Sequence, residues 1–146
     1  VIHLSTKKGA EQLKFYLASS FKNVEPVRAL AKQLEERGHI ITCRWWMCDY
    51  KVALGGMDDD KWFGQPIIRT IYRRSHKAIE DADMLILVAP EPCKFNGANI
   101  EVGIALGLHK PVICLGELER SAMYEPLIRC HSMEELDKTL QEFEHR

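Results

Sequence analysis

The chain has 146 residues, 46% hydrophobic and 28% charged, a length that suits one compact domain able to bury roughly 70% of its unfolded surface. That composition excludes an intrinsically disordered, collagen-like or low-complexity chain. With 20 Lys and Arg against 21 Asp and Glu, the net charge is −1, and nothing in it asks for a nucleic-acid polymer as partner.

In chain order, residues 15–19 are a short apolar run closed by Ser19-Ser20, which predicts a first strand. Residues 24–37 then repeat apolar positions at helical spacing through Val24, Val27, Leu30, Ala31 and Leu34. Pro26 falls in the first turn, where its missing N–H costs nothing, and Gly38 supplies the stop. Residues 40–46 have the β-branched and aromatic content of a second strand. Residues 47–64, with Gly55-Gly56, Asp58-Asp59-Asp60 and Gly64, read as a long loop with room for one helical turn, and loops of that length are usually functional or mobile.

Helical spacing returns over 67–82 through Ile68, Ile71, Tyr72 and Ile79, with Arg69, Arg73, Arg74 and Lys77 on the other sides. Residues 84–88 are continuously apolar between Asp83 and Pro90, as in a central parallel strand covered on both faces. Asn96-Gly97 opens a helix over 98–109, apolar enough to be buried all round except at Glu101. A short buried strand is predicted over 111–115, a weak one near 127–130 and an amphipathic helix over 133–143.

This alternation predicts an α/β fold: an open parallel sheet of four or five strands flanked by helices, with right-handed crossovers, Rossmann-like (flavodoxin-like). Residues 1–13 carry Lys7 and Lys8 but no apolar segment, and read as a polar leader, not a secretory signal, ahead of a single domain over 14–146. The longest apolar stretches, 84–90 and 102–108, stop after about seven residues against the ~18 a membrane span needs, so a soluble protein without a membrane partner is expected. Cys43, Cys48, Cys93, Cys114 and Cys130 leave one thiol over in any intramolecular pairing and form no CxxC, which points to reduced thiols in the cytoplasm. The six histidines are scattered, without HExxH or finger spacing, and no metal site is expected.

Ligands in such sheets bind beyond the carboxyl ends of the strands, and Glu101, just after the 84–88 strand, stands at that edge. One reading makes it a first-turn carboxylate favoured by the helix dipole at ~0.3–1 kcal/mol. The other makes it a rigid, partly desolvated acid, with Gly97 allowing close approach of a ligand and Gly103 and Gly107 letting the helix sit tightly against its neighbour. Such a carboxylate suits attack on a sugar anomeric carbon, where it forms an ester and stabilises oxocarbenium charge. The turn Ser19-Ser20-Phe21-Lys22-Asn23 can converge N–H groups, hydroxyls and an ammonium on an anion, although Ser and Asn are also ordinary capping residues. Trp45, Trp46 and Trp62 are either base-stacking or packing residues, and Asp58 to Asp60 either an acid-base group or a solvated run.

Taken together, Phe15-Tyr16-Leu17-Ala18-Ser19-Ser20-Phe21, Ala82-Asp83-Met84-Leu85-Ile86-Leu87, and Gly97-Ala98-Asn99-Ile100-Glu101-Val102-Gly103-Ile104-Ala105 followed by Lys110-Pro111-Val112 resemble the nucleoside 2-deoxyribosyltransferase family across about residues 14–140. That family includes transferases that move 2-deoxyribose between bases and N-glycosidases that cleave nucleoside 5′-monophosphates with water. The resemblance implies Glu101 as nucleophile, Tyr16 as the tyrosine that positions it, and Ser19, Ser20 and Lys22 as an anion cradle. It further implies Asn96 as a sugar or base contact and Ser121-Ala122-Met123 as a segment lent by a neighbouring subunit, hence a homodimer or larger homo-oligomer. No cofactor is implied, because protonation alone can activate a leaving base. Two family aspartates are missing: Ser75 stands at one position and Phe95 at the other. The first loss leaves the proton donor to His76 or the acidic loop. It also keeps open a nucleotide-binding or sensing protein of the same fold without efficient catalysis.

Overall fold

The structure is a computed structural model that describes residues 11–47 and 66–144. Most of the expected leader, and the loop from residue 48 onward with Trp62 and Asp58 to Asp60, lie outside these residues. The continuous apolar run forms strand β3 (Met84–Ala89), and all six of its residues are buried. It pairs in parallel with β1 (Lys14–Ala18) on one side and β4 (Val112–Gly116) on the other. A strand covered on both faces has no solvent side on which to place polar residues, hence the unbroken apolar sequence. Strands β2 (Ile40–Ile41) and β5 (Ile128–Cys130) complete an all-parallel sheet of five strands in the order β2-β1-β3-β4-β5. The α/β architecture read from the sequence is present, the weak last strand included.

Helix α1 (Val24–Glu36) buries Val27, Leu30, Ala31 and Leu34 as one stripe, and Gly38 follows it at φ +89°, a left-handed conformation that side chains resist. Helices α2 (Pro66–Asp81), α3 (Gly97–Gly107) and α4 (Met133–Glu144) follow in turn. Arg37, just past α1, holds Asp137 of α4 through two bonds of 2.9 and 3.0 Å, so α1 and α4 share a face of the sheet. Helices α2 and α3 pack against each other. With right-handed crossovers, the change of direction after β2 puts them on the opposite face. No described helix is long and apolar enough to cross a membrane.

Three expectations are corrected. The predicted strand over 40–46 pairs only at Ile40 and Ile41 and gives way to a 3-10 turn at Trp45–Met47. Thr42 N–H still donates to the Phe15 carbonyl at 2.9 Å, but the Leu17 carbonyl on the β1 edge is taken by the Trp45 indole Nε1 at 2.7 Å. A side-chain donor satisfies that acceptor, and the backbone is free to turn away. The helix predicted over 98–109 starts at Gly97 and ends at Gly107, so Glu101 lies beyond its first turn, where a dipole contribution has faded. Nor is α3 buried all round or wedged on its glycines: it turns Ala98, Val102 and Ala105 inward and leaves Ile100 63% exposed. A Cβ at Gly103 or Gly107 would meet nothing within 4 Å.

Candidate active site

In the observed strand order the chain leaves β1 toward one edge of the sheet and leaves β3 toward the other. The connections depart to opposite faces and open a crevice between the two carboxyl ends. A cavity of about 500 Å³ occupies this place, a size typical of small-molecule sites. Strand β1 contributes Tyr16 and the following Ser19 and Ser20, helix α3 contributes Gly97 and Glu101, and the loop before α3 contributes Lys94 and Asn96.

Helix α2 closes the other side with Ile68, Ile71, Tyr72, Ser75 and His76, spaced to share one helical face. Phe21 and Trp45 also line it, packed edge to face with ring centres 5.5 Å apart. Polar and apolar groups alternate around the cavity: hydroxyls, an amide, an ammonium, an imidazole and the Glu101 carboxylate stand among aliphatic and aromatic side chains from both helices, Ile100 and Ile104 of α3 included, and the aromatic groups suit a flat ring.

Glu101 is the one carboxylate among the described residues lining the cavity. Tyr16 is 1% exposed, and its hydroxyl donates to Glu101 Oε2, across 85 residues of sequence. Burial raises the Glu101 carboxyl from 4.5 to about 7, against the opposing pull of the Tyr16 hydrogen bond. Burial and the neighbouring Glu101 both push the Tyr16 phenol up, so the phenol keeps its proton. A hydrogen bond from the Ser75 side chain acts in the other direction on the same phenol. The acid at the centre of the cavity is therefore oriented, short of water and poised between its two protonation states near neutrality.

The structure brings eight of the residues singled out from sequence onto this cavity: Tyr16, Ser19, Ser20, Trp45, His76, Asn96, Gly97 and Glu101. Ser19 Oγ donates to the Val88 carbonyl at 2.6 Å and accepts from Asn23 Nδ2 at 2.9 Å, which fixes the turn after β1. Ser20 has no such side-chain bond at the start of its turn. A Cβ at Gly97 would meet no protein atom within 4 Å.

Three residues lie elsewhere. Lys22 pairs with Glu91 at 3.6 Å on the exposed surface, and Ser121 caps its own 3-10 turn by accepting from Met123 N–H. Met123 is 81% exposed. Sequence reasoning missed Lys94, whose only signal was its place in the loop after a central strand. It also read Ile68, Ile71 and Tyr72 as a helical stripe without distinguishing core from cavity. Trp46, one of the candidate stacking residues, is buried away from the cavity, with the Arg44 guanidinium 5.6 Å from its ring centre. Among the described residues no three His, Cys, Asp or Glu side chains converge as a metal site would require.

No family model and no curated protein matches the sequence significantly. Solved structures share the fold. The CMP N-glycosidase BcmB of Clostridium botulinum superposes with a TM-score of 0.51 at 19% identity, covering 91% of this chain and 99% of its own. A 2-deoxyribosyltransferase from the psychrotolerant bacterium Bacillus psychrosaccharolyticus gives a TM-score of 0.57 at 21% identity, covering 87% of this chain and 95% of its own. The likeness extends over nearly the whole length of each protein and is one of architecture.

Proposed function

We propose that this protein belongs to the nucleoside 2-deoxyribosyltransferase family and cleaves or transfers at the N-glycosidic bond of a nucleoside or nucleoside 5′-monophosphate. The observation that carries this reading is the Tyr16–Glu101 pair, a shielded carboxylate held by a buried phenol at the switch point of the sheet. An oxygen of Glu101 attacks the anomeric carbon as the base departs, giving a covalent glycosyl ester that water or a second base then opens. Tyr16 holds the attacking carboxylate in one orientation. Asn96, Gly97, Ser19 and Ser20 supply polar contacts for the sugar and any 5′-phosphate, and the aliphatic and aromatic groups of α2 with Phe21 and Trp45 receive the base. The shared fold with an N-glycosidase and a deoxyribosyltransferase supports the same reading.

Ser121 and Met123 sit on the surface away from the cavity of their own chain, which is compatible with their serving the site of a second copy in a homo-oligomer. Lys22 is held by Glu91 in the free protein and joins an anion site only by leaving that exposed pair, a small cost.

The test is a panel of deoxynucleosides, ribonucleosides and their 5′-monophosphates, CMP and dCMP among them, with released base followed by chromatography. The expected result is free base with wild-type protein and at least a 10³-fold loss with Glu101→Gln. A 2-fluoro sugar substrate should leave an adduct on Glu101 visible in the mass of the denatured chain. A second reading, nucleotide sensing without efficient turnover, is favoured by one observation: among the described residues the cavity wall offers no second carboxylate beside Glu101. Tight binding across the panel with no base released supports it and overturns the first.

A further inference from the structure

Resting on the N-glycosidic reading above, we propose that His76 is the catalytic acid that protonates the departing base, held in register by Glu80. Breaking the bond between a sugar and a ring nitrogen leaves an electron pair on that nitrogen, and a poor leaving group needs a proton there as the bond opens. Glu101 cannot give it while acting as the nucleophile, and the Tyr16 proton is already committed to Glu101. Ser75 serves the same phenol. Of the remaining ionisable groups on the cavity among the described residues, Lys94 lies in the loop before α3 beside Asn96 and Gly97, whereas Tyr72 and His76 lie on α2 with Ile68 and Ile71, aliphatic groups that suit a flat base. Of these two it is His76 that faces a carboxylate, Glu80.

The geometry around the imidazole fits this task. His76 Nδ1 is 3.1 Å from Glu80 Oε1, one helical turn further along α2, and the ring rests at 43° against Tyr72 with centres 6.1 Å apart. Engagement of Nδ1 by a carboxylate leaves Nε2 as the nitrogen offered to a ligand. Helical spacing builds the pair, since residues four apart stack on one face.

The steps balance. Glu101 forms its bond to the anomeric carbon, the C–N bond breaks with its electron pair going to the base, and the Nε2 proton of the imidazolium passes to that base. Water then attacks the anomeric carbon, neutral His76 removes its proton, and the ester opens to regenerate the Glu101 carboxylate and the imidazolium. A base attacking in place of water closes the same cycle by losing its proton to Nε2.

The experiment compares two leaving groups on one sugar: the best nucleoside of the panel, and the 4-nitrophenyl glycoside of the same sugar, whose phenolate departs without a proton. The expected result for His76→Gln is a 10²–10⁴-fold loss on the nucleoside and less than a tenfold loss on the nitrophenyl glycoside. Glu80→Gln should show the same selectivity with a smaller loss, as befits a positioning residue. Activity retained on the nitrophenyl glycoside shows that each variant is folded. An equal loss on both substrates, or none on either, overturns the assignment of His76 and leaves the Glu101 reading standing. A wild-type protein that cleaves neither substrate overturns both.

Discussion

Glu101 carries a cost in stability that follows from its surroundings. In an unfolded chain the carboxyl titrates near 4.5, and in the fold near 7. Between those values the folded state holds a proton that the unfolded state has lost, so stability falls as pH rises through the window and the full penalty applies above 7. A shift of this size corresponds to a few kcal/mol at most. Glu101→Gln, which keeps an acceptor for the Tyr16 hydroxyl without the charge, should therefore be more stable than wild type at pH 8, by on the order of 3 kcal/mol. At pH 4, below both values, the difference should nearly vanish, and urea titrations at the two pH values measure it.

Catalysis runs the other way. The nucleophile is the deprotonated form, so ionisation of Glu101 sets the acidic limb of the pH–rate profile, near 7, while the need for a protonated His76 acts against the rate on the alkaline side. Tyr16→Phe removes the one interaction that lowers this value. Its acidic limb should therefore move to higher pH, as a pH–rate profile would show.

Among the elements, β2 shows how one side chain sets the edge of a sheet. The Trp45 indole does three things at once: it takes the Leu17 carbonyl, packs against Phe21 and Trp46 and forms part of the cavity wall. Trp45→Phe preserves most of the packing but strands that carbonyl. The expected loss is about 1–3 kcal/mol, seen as a lower denaturation midpoint, together with weaker binding of whatever ring the wall receives. Nothing local announces this bond, because donor and acceptor are 28 residues apart, and the aromatic, β-branched composition of 40–46 reads as strand throughout. β3 was legible for the opposite reason: burial on both faces leaves its mark on every residue. The Tyr16–Glu101 pairing lies between these cases. Each residue was identifiable from the segments that resemble the family, and the fold joins strand and helix to make the contact. Lys94 had no periodic context, since it sits in an irregular loop whose path depends on β3 and α3.

At the scale of the molecule, the same architecture separates the parts that hold the fold from those that shape the site. Arg37–Asp137 binds the first and last helices on one face, and Lys110 Nζ donates to the Glu80 carbonyl at 2.7 Å and to the Ala82 carbonyl, tying the approach to β4 to the end of α2. The opposite face carries α3, with Gly103 and Gly107 open to space. Gly103→Ala, inside the helix, should stabilise the isolated chain by roughly 0.5–1 kcal/mol, because alanine loses less backbone entropy there, and Gly107→Ala, at its last residue, by less. Denaturant titration alongside sedimentation tests this; a loss of stability that depends on protein concentration would instead identify the face as a contact between copies.

The parallel pairing of β1 with β3 has a further consequence for how the chain is made. Residue 15 must wait for residue 84, its partner 69 positions later, before its own strand acquires a central neighbour. Until then β1 has only the two residues of β2 beside it. Synthesis from the N-terminal side therefore leaves an apolar, half-paired strand exposed while the 69 residues up to its partner are added, an interval in which a holding chaperone has something to bind.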